Sequence, residues 1–206
     1  MLEKAKEVTR RGKYTYIEYA RFADDLTVLV DGYSRWKWLE KAANRRLLEE
    51  FSKIGVEINQ DKTRQVNLNT GETFNFLGFN FRKARTRKGK WGAQYAPKME
   101  ARNTLLSKIK DIFKRFQSQP VERVVELINP ILRGWVNYFR VGQSSRCFGY
   151  VKDWVEKKTR RHLMRARNLK GFGWNRWSRS WLYQKLKLYN DYKIRYYRAT
   201  KALPER

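Results

Sequence analysis

The amino-acid sequence predicts an α+β chain. A β-hairpin, a helix and a small antiparallel sheet come first, and an all-helical half follows. Three observations predict this. Between Tyr14 and Val30, two apolar runs rich in Val, Thr, Tyr and Ile flank a pair of acids, which is the pattern of a hairpin. From Pro97 onward apolar residues recur with a helical period. The charge changes at nearly the same place: residues 1–80 carry 14 basic and 12 acidic residues, whereas residues 81–206 carry 33 and 8.

Taken in order, Tyr14–Phe22 and Leu26–Val30 are strand candidates, with Asp24 and Asp25 at or near the turn between them. Trp36, Leu39, Ala43, Leu47, Phe51 and Ile54 recur near every 3.6 residues, which makes an amphipathic helix with Ser34 as its cap and Gly55 as its stop. "VEINQDKTRQV" reads as strand, polar turn and strand, and "LNTGET" as a turn. "FNFLGFNF" supplies Phe74, Phe76 and Phe79 or Phe81 as packing residues, and Gly78 allows a close backbone approach. Residues 1–81 form one domain on this reading, and 82–96 a basic linker or ribbon. Residues 97–167 form a helical domain. Its first helix aligns Leu105, Ile109, Ile112 or Phe113, and Phe116. The second is broken or restarted at Asn129-Pro130, where Asn can cap and Pro suits a first turn. The third begins at Ser144 or Ser145 and carries Tyr150, Val151, Trp154 and Val155, then "KKTRRHLMRAR". Residues 168–206 read as a basic, aromatic tail with a final helix in "SRSWLYQKLKLYNDYKIRYY".

The net charge is +27, from 47 basic and 20 acidic residues. An excess of this size, interleaved with aromatic residues, points to a polyanion, with nucleic acid ahead of an anionic membrane surface. No apolar run approaches the ~20 residues that span a bilayer, and the basic start is followed by no apolar stretch, so no secretory signal is read there. The expected location is a cytoplasmic or organellar interior, in association with nucleic acid. The single cysteine, Cys147, excludes an internal disulfide and a CxxC zinc site and is expected as a lone buried thiol. The single histidine, His162, lies in a basic helical run and is expected at the surface rather than in a nucleophilic triad.

The adjacent acids admit two readings. Asp is a good turn residue. Two neighbouring carboxylates also repel each other, and a divalent cation such as Mg2+ relieves the repulsion.

Four segments, in order, resemble the carboxy-terminal part of group II intron reverse transcriptase/maturases. "RFADDLTVLV" resembles the hairpin with paired aspartates of reverse transcriptases, with Phe22 in the aromatic position. "GVEINQDKTR" resembles the next segment of the polymerase palm, and "FNFLGFNF" the turn of the primer grip. "NPILRGWVNYFR" resembles the signature of the maturase-specific region, which doubles as the thumb. The resemblance runs from about Tyr16 to about Arg167 and is loose after Gly171.

The resemblance implies a partial palm followed by a helical thumb. It implies RNA-directed DNA synthesis with Asp24 as primary Mg2+ ligand, Asp25 assisting, Phe22 packed beneath them, and Lys62 near the incoming deoxynucleoside triphosphate. Phe76, Leu77, Gly78 and Phe79 would support the primer end. Without the resemblance, Lys62 is an ordinary surface lysine and the four primer-grip residues are an apolar strand. The implied partners are intron RNA, an RNA–DNA hybrid and a primer/template. Arg133, Asn137 and Arg140 share one expected helix face toward RNA, with Trp135, Tyr138 and Phe139 toward the core. Lys157, Lys158, Arg160, Arg161, Arg165 and Arg167 extend that basic surface, as do Lys170, Arg176 and Arg179. The family places a further catalytic aspartate and the template-binding fingers upstream of the paired aspartates. Met1 stands 23 residues before Asp24, so the expectation is an activity encoded here in part and an upstream polypeptide as partner. The alternative is a non-enzymatic RNA-binding fragment with a vestigial site.

Overall fold

Strand β1 (Ile17–Phe22) pairs antiparallel with β2 (Asp25–Val30), Ile17 opposite Val30 and Phe22 opposite Asp25. Ala23 and Asp24 alone make the turn, with Ala23 at φ 48°. The structure is a computed structural model that describes residues 17–34, 37–59, 61–86 and 88–195. The expected strand residues Tyr14–Tyr16, the helix residue Trp36 and the tail beyond residue 195 lie outside the described residues.

Helix α1 (Lys37–Lys53) follows. It ends where expected: Val56 N–H donates to the Phe51 carbonyl at 3.0 Å and Gly55 N–H to that of Ser52 at 3.2 Å, the paired bonds of a Schellman stop. Among the described residues of Val56–Val66 the expected strands do not form. Asn59 bends the chain instead: its carbonyl accepts from Thr63 N–H at 3.0 Å and its side chain from Lys62 N–H at 3.1 Å. A 3-10 turn, Leu68–Thr70, is capped by the Asn67 side chain. Strands β3 (Thr73–Phe76), β4 (Phe79–Arg85) and β5 (Trp91–Pro97) then form one sheet in sequence order. The basic stretch 82–96 lies almost wholly within β4, β5 and their connection.

The chain divides into two compact units, Met1–Phe76 with Arg82–Gly92, and Leu77–Phe81 with Ala93–Arg206. The second is built on α2 (Met99–Arg115), α3 (Val121–Phe139) and α4 (Ser145–Ala166). Its core contains Leu105, Ile109, Phe113, Val124, Ile128, Leu132, Val151 and Val155. A second cluster gathers Phe79, Val136, Phe139 and Phe148. Full burial of each such side chain is worth roughly 1.5–3 kcal/mol.

Three expectations change in this unit. Helix α3 runs unbroken through Pro130. Proline removes one intrahelical donor, but the apolar stripe on both sides of it is buried. Asn129 caps nothing in α3; its amide donates to the Lys187 carbonyl at 2.9 Å and accepts from Tyr189 N–H at 2.8 Å. The tail helix shrinks to α5 (Arg179–Gln184), capped by Ser178. Beyond it Leu186 and Leu188 are both buried, a spacing of two that one helix face does not present. His162 is buried, with Nε2 2.9 Å from the Gln119 carbonyl. Cys147 is half-buried, and burial pushes its thiol pKa up. No helix among the described residues is long and apolar enough to cross a membrane.

Candidate nucleic-acid interface

Asp24 and Asp25 sit exposed at the tip of the β1–β2 hairpin. Phe22, expected beneath them, is 61% exposed. With Phe22 and Asp25 directly opposite and only two residues between, the aromatic ring lies at the strand end beside the turn. Lys62 is exposed in the turn made by Asn59. Among the described residues, no hydrogen bond or ion pair joins these three, and no group of three or more His, Cys, Asp or Glu side chains could hold a metal ion. The donor set is therefore two adjacent carboxylates. That is compatible with Mg2+, which takes one or two carboxylates together with substrate phosphates.

The F-L-G-F turn is a tight one. Leu77 and Gly78 both have positive φ, 48° and 76°, as a two-residue hairpin turn demands. Leucine there is strained by roughly 1–2 kcal/mol, and the second unit holds it in place. The Tyr138 hydroxyl donates to the Leu77 carbonyl at 3.0 Å, and Lys98 N–H to that of Gly78 at 2.9 Å. Phe79 is buried, its ring centroid 5.0 Å from that of Phe139. Tyr138, expected in the core, is 55% exposed and reaches the turn from outside. Trp135 packs against both core clusters. Phe76, at the end of β3, is half-buried.

On α3 the structure separates the three residues expected to face RNA. Arg133 and Asn137 are exposed and line a cleft whose opposite wall is the irregular chain 187–195. Arg140 is 3% exposed: its guanidinium lies 3.1 Å from the Asp191 carboxylate and 3.3 Å from the Tyr189 hydroxyl. It fastens the tail rather than facing solvent.

The basic run of α4 divides in the same way. Lys157, Arg161, Arg165 and Arg167 are exposed and Lys158 half-buried. Burial, then the neighbouring cations Arg161, Lys110, Arg165 and Lys157, hold the Lys158 pKa below its ordinary value, which marks a concentrated positive field. Arg160 is enclosed. It donates to the Trp177 carbonyl at 2.8 Å and to Glu156 at 3.3 Å, and lies 4.3 Å from the Trp174 ring centre. Glu156, fully buried, also accepts from Arg179 at 2.9 Å and from the Tyr183 hydroxyl. Burial alone would raise the Glu156 pKa, but the Tyr183 and Arg179 hydrogen bonds outweigh it and the carboxyl sits below its usual range. Burial, then Glu156, push the Tyr183 pKa up. Arg179, expected as RNA-facing, is half of this tie, although its side chain remains 56% exposed. Lys170 and Arg176 are exposed.

Several exposed groups escaped the sequence reading. Lys187 and Arg195 line the cleft with Arg133. Phe172, 45% exposed, has Lys157 4.7 Å and Arg161 5.7 Å from its ring centre. In the first unit Trp91, 59% exposed, has Lys83 at 5.6 Å and Arg85 at 5.2 Å. A second depression, of about 540 Å³, places Lys114 and Arg115 of α2 with Arg165 of α4. The interleaving of aromatic and basic residues signalled the stacked pairs. The cleft left no such trace, because its walls are some 50 residues apart in sequence.

A family model described as the group II intron maturase-specific domain matches residues 102–186. The match spans α3, α4 and α5 and most of α2, and passes beyond Arg167 into the tail. No curated protein matches the chain. Residues 102–186, within the second unit, are thus similar to the group II intron maturase-specific domain, and intron RNA is the partner that such a domain implies.

Proposed function

We propose that this chain holds group II intron RNA through the outward cations of its helical unit and assists the folding of that RNA for splicing. The observation that carries this reading is the exposed row Lys157, Arg161 and Arg165 on α4, with Arg167 just past its end, all inside the maturase-specific match. Each phosphate neutralised by such a cation releases counterions, so affinity falls as salt rises. The test is the affinity for a group II intron RNA between about 50 and 200 mM salt. Replacing the four residues with alanine should flatten the log–log salt slope by roughly 0.9 for each phosphate that is no longer neutralised. A salt-independent affinity, or an unchanged slope in the fourfold variant, would sink the reading.

A second reading is favoured by the exposed pair Asp24 and Asp25 at a hairpin tip. It places the first unit in an RNA-directed DNA polymerase site, with a deoxynucleoside triphosphate and primer/template as substrates. Asp24 and Asp25 would hold Mg2+, which when bound supplies positive charge to the attacking and leaving oxygens of an in-line displacement. Lys62 would place a positive charge near the triphosphate. Leu77, Gly78 and Phe79, fixed by the contacts described above, with Phe76 before them, would bear on the primer end. An upstream polypeptide would supply the fingers and the remaining carboxylate. The test is primer extension on an RNA template with Mg2+, by this chain alone and with that polypeptide, against Asp24→Ala with Asp25→Ala. Extension that is lost in the double variant supports the reading. Extension in neither case, with RNA binding intact, leaves the chain a binding protein.

A further inference from the structure

The cleft beside Arg133 is shaped for more than a diffuse phosphate contact. Its volume is about 500 Å³, within the range of small-ligand pockets. Arg133 enters from α3, and Lys187 and Arg195 from the chain opposite. All three are exposed. The carboxylate in its lining, Asp191, is already neutralised by Arg140 at 3.1 Å, so the open charge is positive. The phenols of Tyr183 and Tyr189 are engaged by Glu156, and by Arg140 and the Asp191 carbonyl, which leaves their rings as fixed walls.

The amides decide what the cleft can read. Asn129 has both ends of its amide tied to tail backbone. Asn137 and Asn190 line the same cleft, are exposed, and make no side-chain hydrogen bond among the described residues. A free carboxamide offers two donors and an acceptor on one planar face, which matches the edge of a nucleobase. In an RNA duplex the Watson–Crick edge is taken up by base pairing; only a splayed, unpaired nucleotide brings it to a concave site.

We infer that the cleft takes one unpaired nucleotide of the bound RNA, with its phosphate on Arg133, Lys187 and Arg195 and its base edge on Asn137 and Asn190. This rests on the RNA-binding reading above.

The test compares the full chain's affinity for a single-stranded RNA of about 12 nucleotides with that for an RNA duplex of equal length. Asn137→Ala and Asn190→Ala should each weaken single-strand binding by about tenfold and leave duplex affinity unchanged. Neither removes a charge, so the salt slope should stay as it is. Arg133→Ala should lower the single-strand slope by about 1, and Asn137→Asp should weaken binding more than Asn137→Ala by repelling the phosphate. Both asparagines are exposed, so unchanged thermal unfolding verifies the variants. Equal losses on single strand and duplex, or no loss on either while RNA is still bound, would overturn the cleft inference alone. A wild-type chain that binds neither RNA would overturn the RNA-binding reading and this inference with it.

Discussion

The two units are held together differently. In the helical unit Ile109, Val124, Ile128, Leu132, Val136, Val151 and Leu182 have no exposed surface. In the first unit the buried hydrophobic residues, among those described, are Ile17 and Ala43, while Phe22, Trp38 and Leu48 are at least 47% exposed. Helix α1 is laced with Arg45–Glu49, Arg46–Glu49 and Lys53–Glu50 pairs, but exposed pairs of this kind are screened by solvent and contribute little to stability. The contrast teaches that the buried core and the exposed basic row of α4 sit together in the helical unit. The hairpin with the paired acids is shaped by its register and its turn, with little core beneath it.

The contrast can be broken most directly at Glu156. Glu156→Ala strands Arg160 without its carboxylate, and should cost about 3–5 kcal/mol, read by urea denaturation of the helical signal. Leu132→Ala, in the middle of α3, should cost roughly 2–5 kcal/mol in the same measurement. Gly142→Ala should cost about 1–3 kcal/mol: φ is +64° there and a Cβ would come within 2.5 Å of the Tyr95 carbonyl oxygen, where Gln143 N–H now donates to that oxygen at 2.9 Å.

Acid sharpens the comparison. The Glu156 carboxyl is held below its ordinary pKa, so its contribution is complete above the unfolded value, about 4.3, and is lost as pH falls through the lower folded one. Unfolding midpoints measured on the acid side of that value should fall for the wild type and fall less for Glu156→Gln. The smallest effects belong to the first unit. Asp24→Ala and Leu48→Ala should each stay within about 0.5 kcal/mol by thermal unfolding. A loss there as large as at Leu132 would show that the first unit has a core that the buried residues do not reveal.

Sequence alone located the elements with local signals. The β-rich runs on either side of Asp24 and Asp25 became β1 and β2, and Gly55 stopped α1, whereas the turn at Leu77-Gly78 was legible only through the family resemblance. What escaped depends on partners distant in the chain. Arg140 and Arg160 read as exposed cations because Asp191 and the Trp177 carbonyl are brought to them only by the fold. Asn129-Pro130 reads as a break because the local cost of proline is visible and the burial of Ile128 and Leu132 around it is not. The nucleotide cleft needed the same tertiary step: Arg133 and Asn137 were legible as outward residues, whereas Lys187, Asn190 and Arg195 gain meaning only opposite them.

The tail's place in the core has a temporal consequence. Trp177, Leu182, Leu186 and Leu188 complete the cluster begun by Leu105 and Ile109. On the ribosome α2, α3 and α4 are all synthesised while that cluster is still open on one side, and the unit can close only after residue 188 has emerged. Pairings of such long sequence separation slow folding relative to a bundle of neighbouring helices. During that interval the nascent helices present an apolar seam, while the cations Lys157, Arg161 and Arg165 on α4 stand outside it.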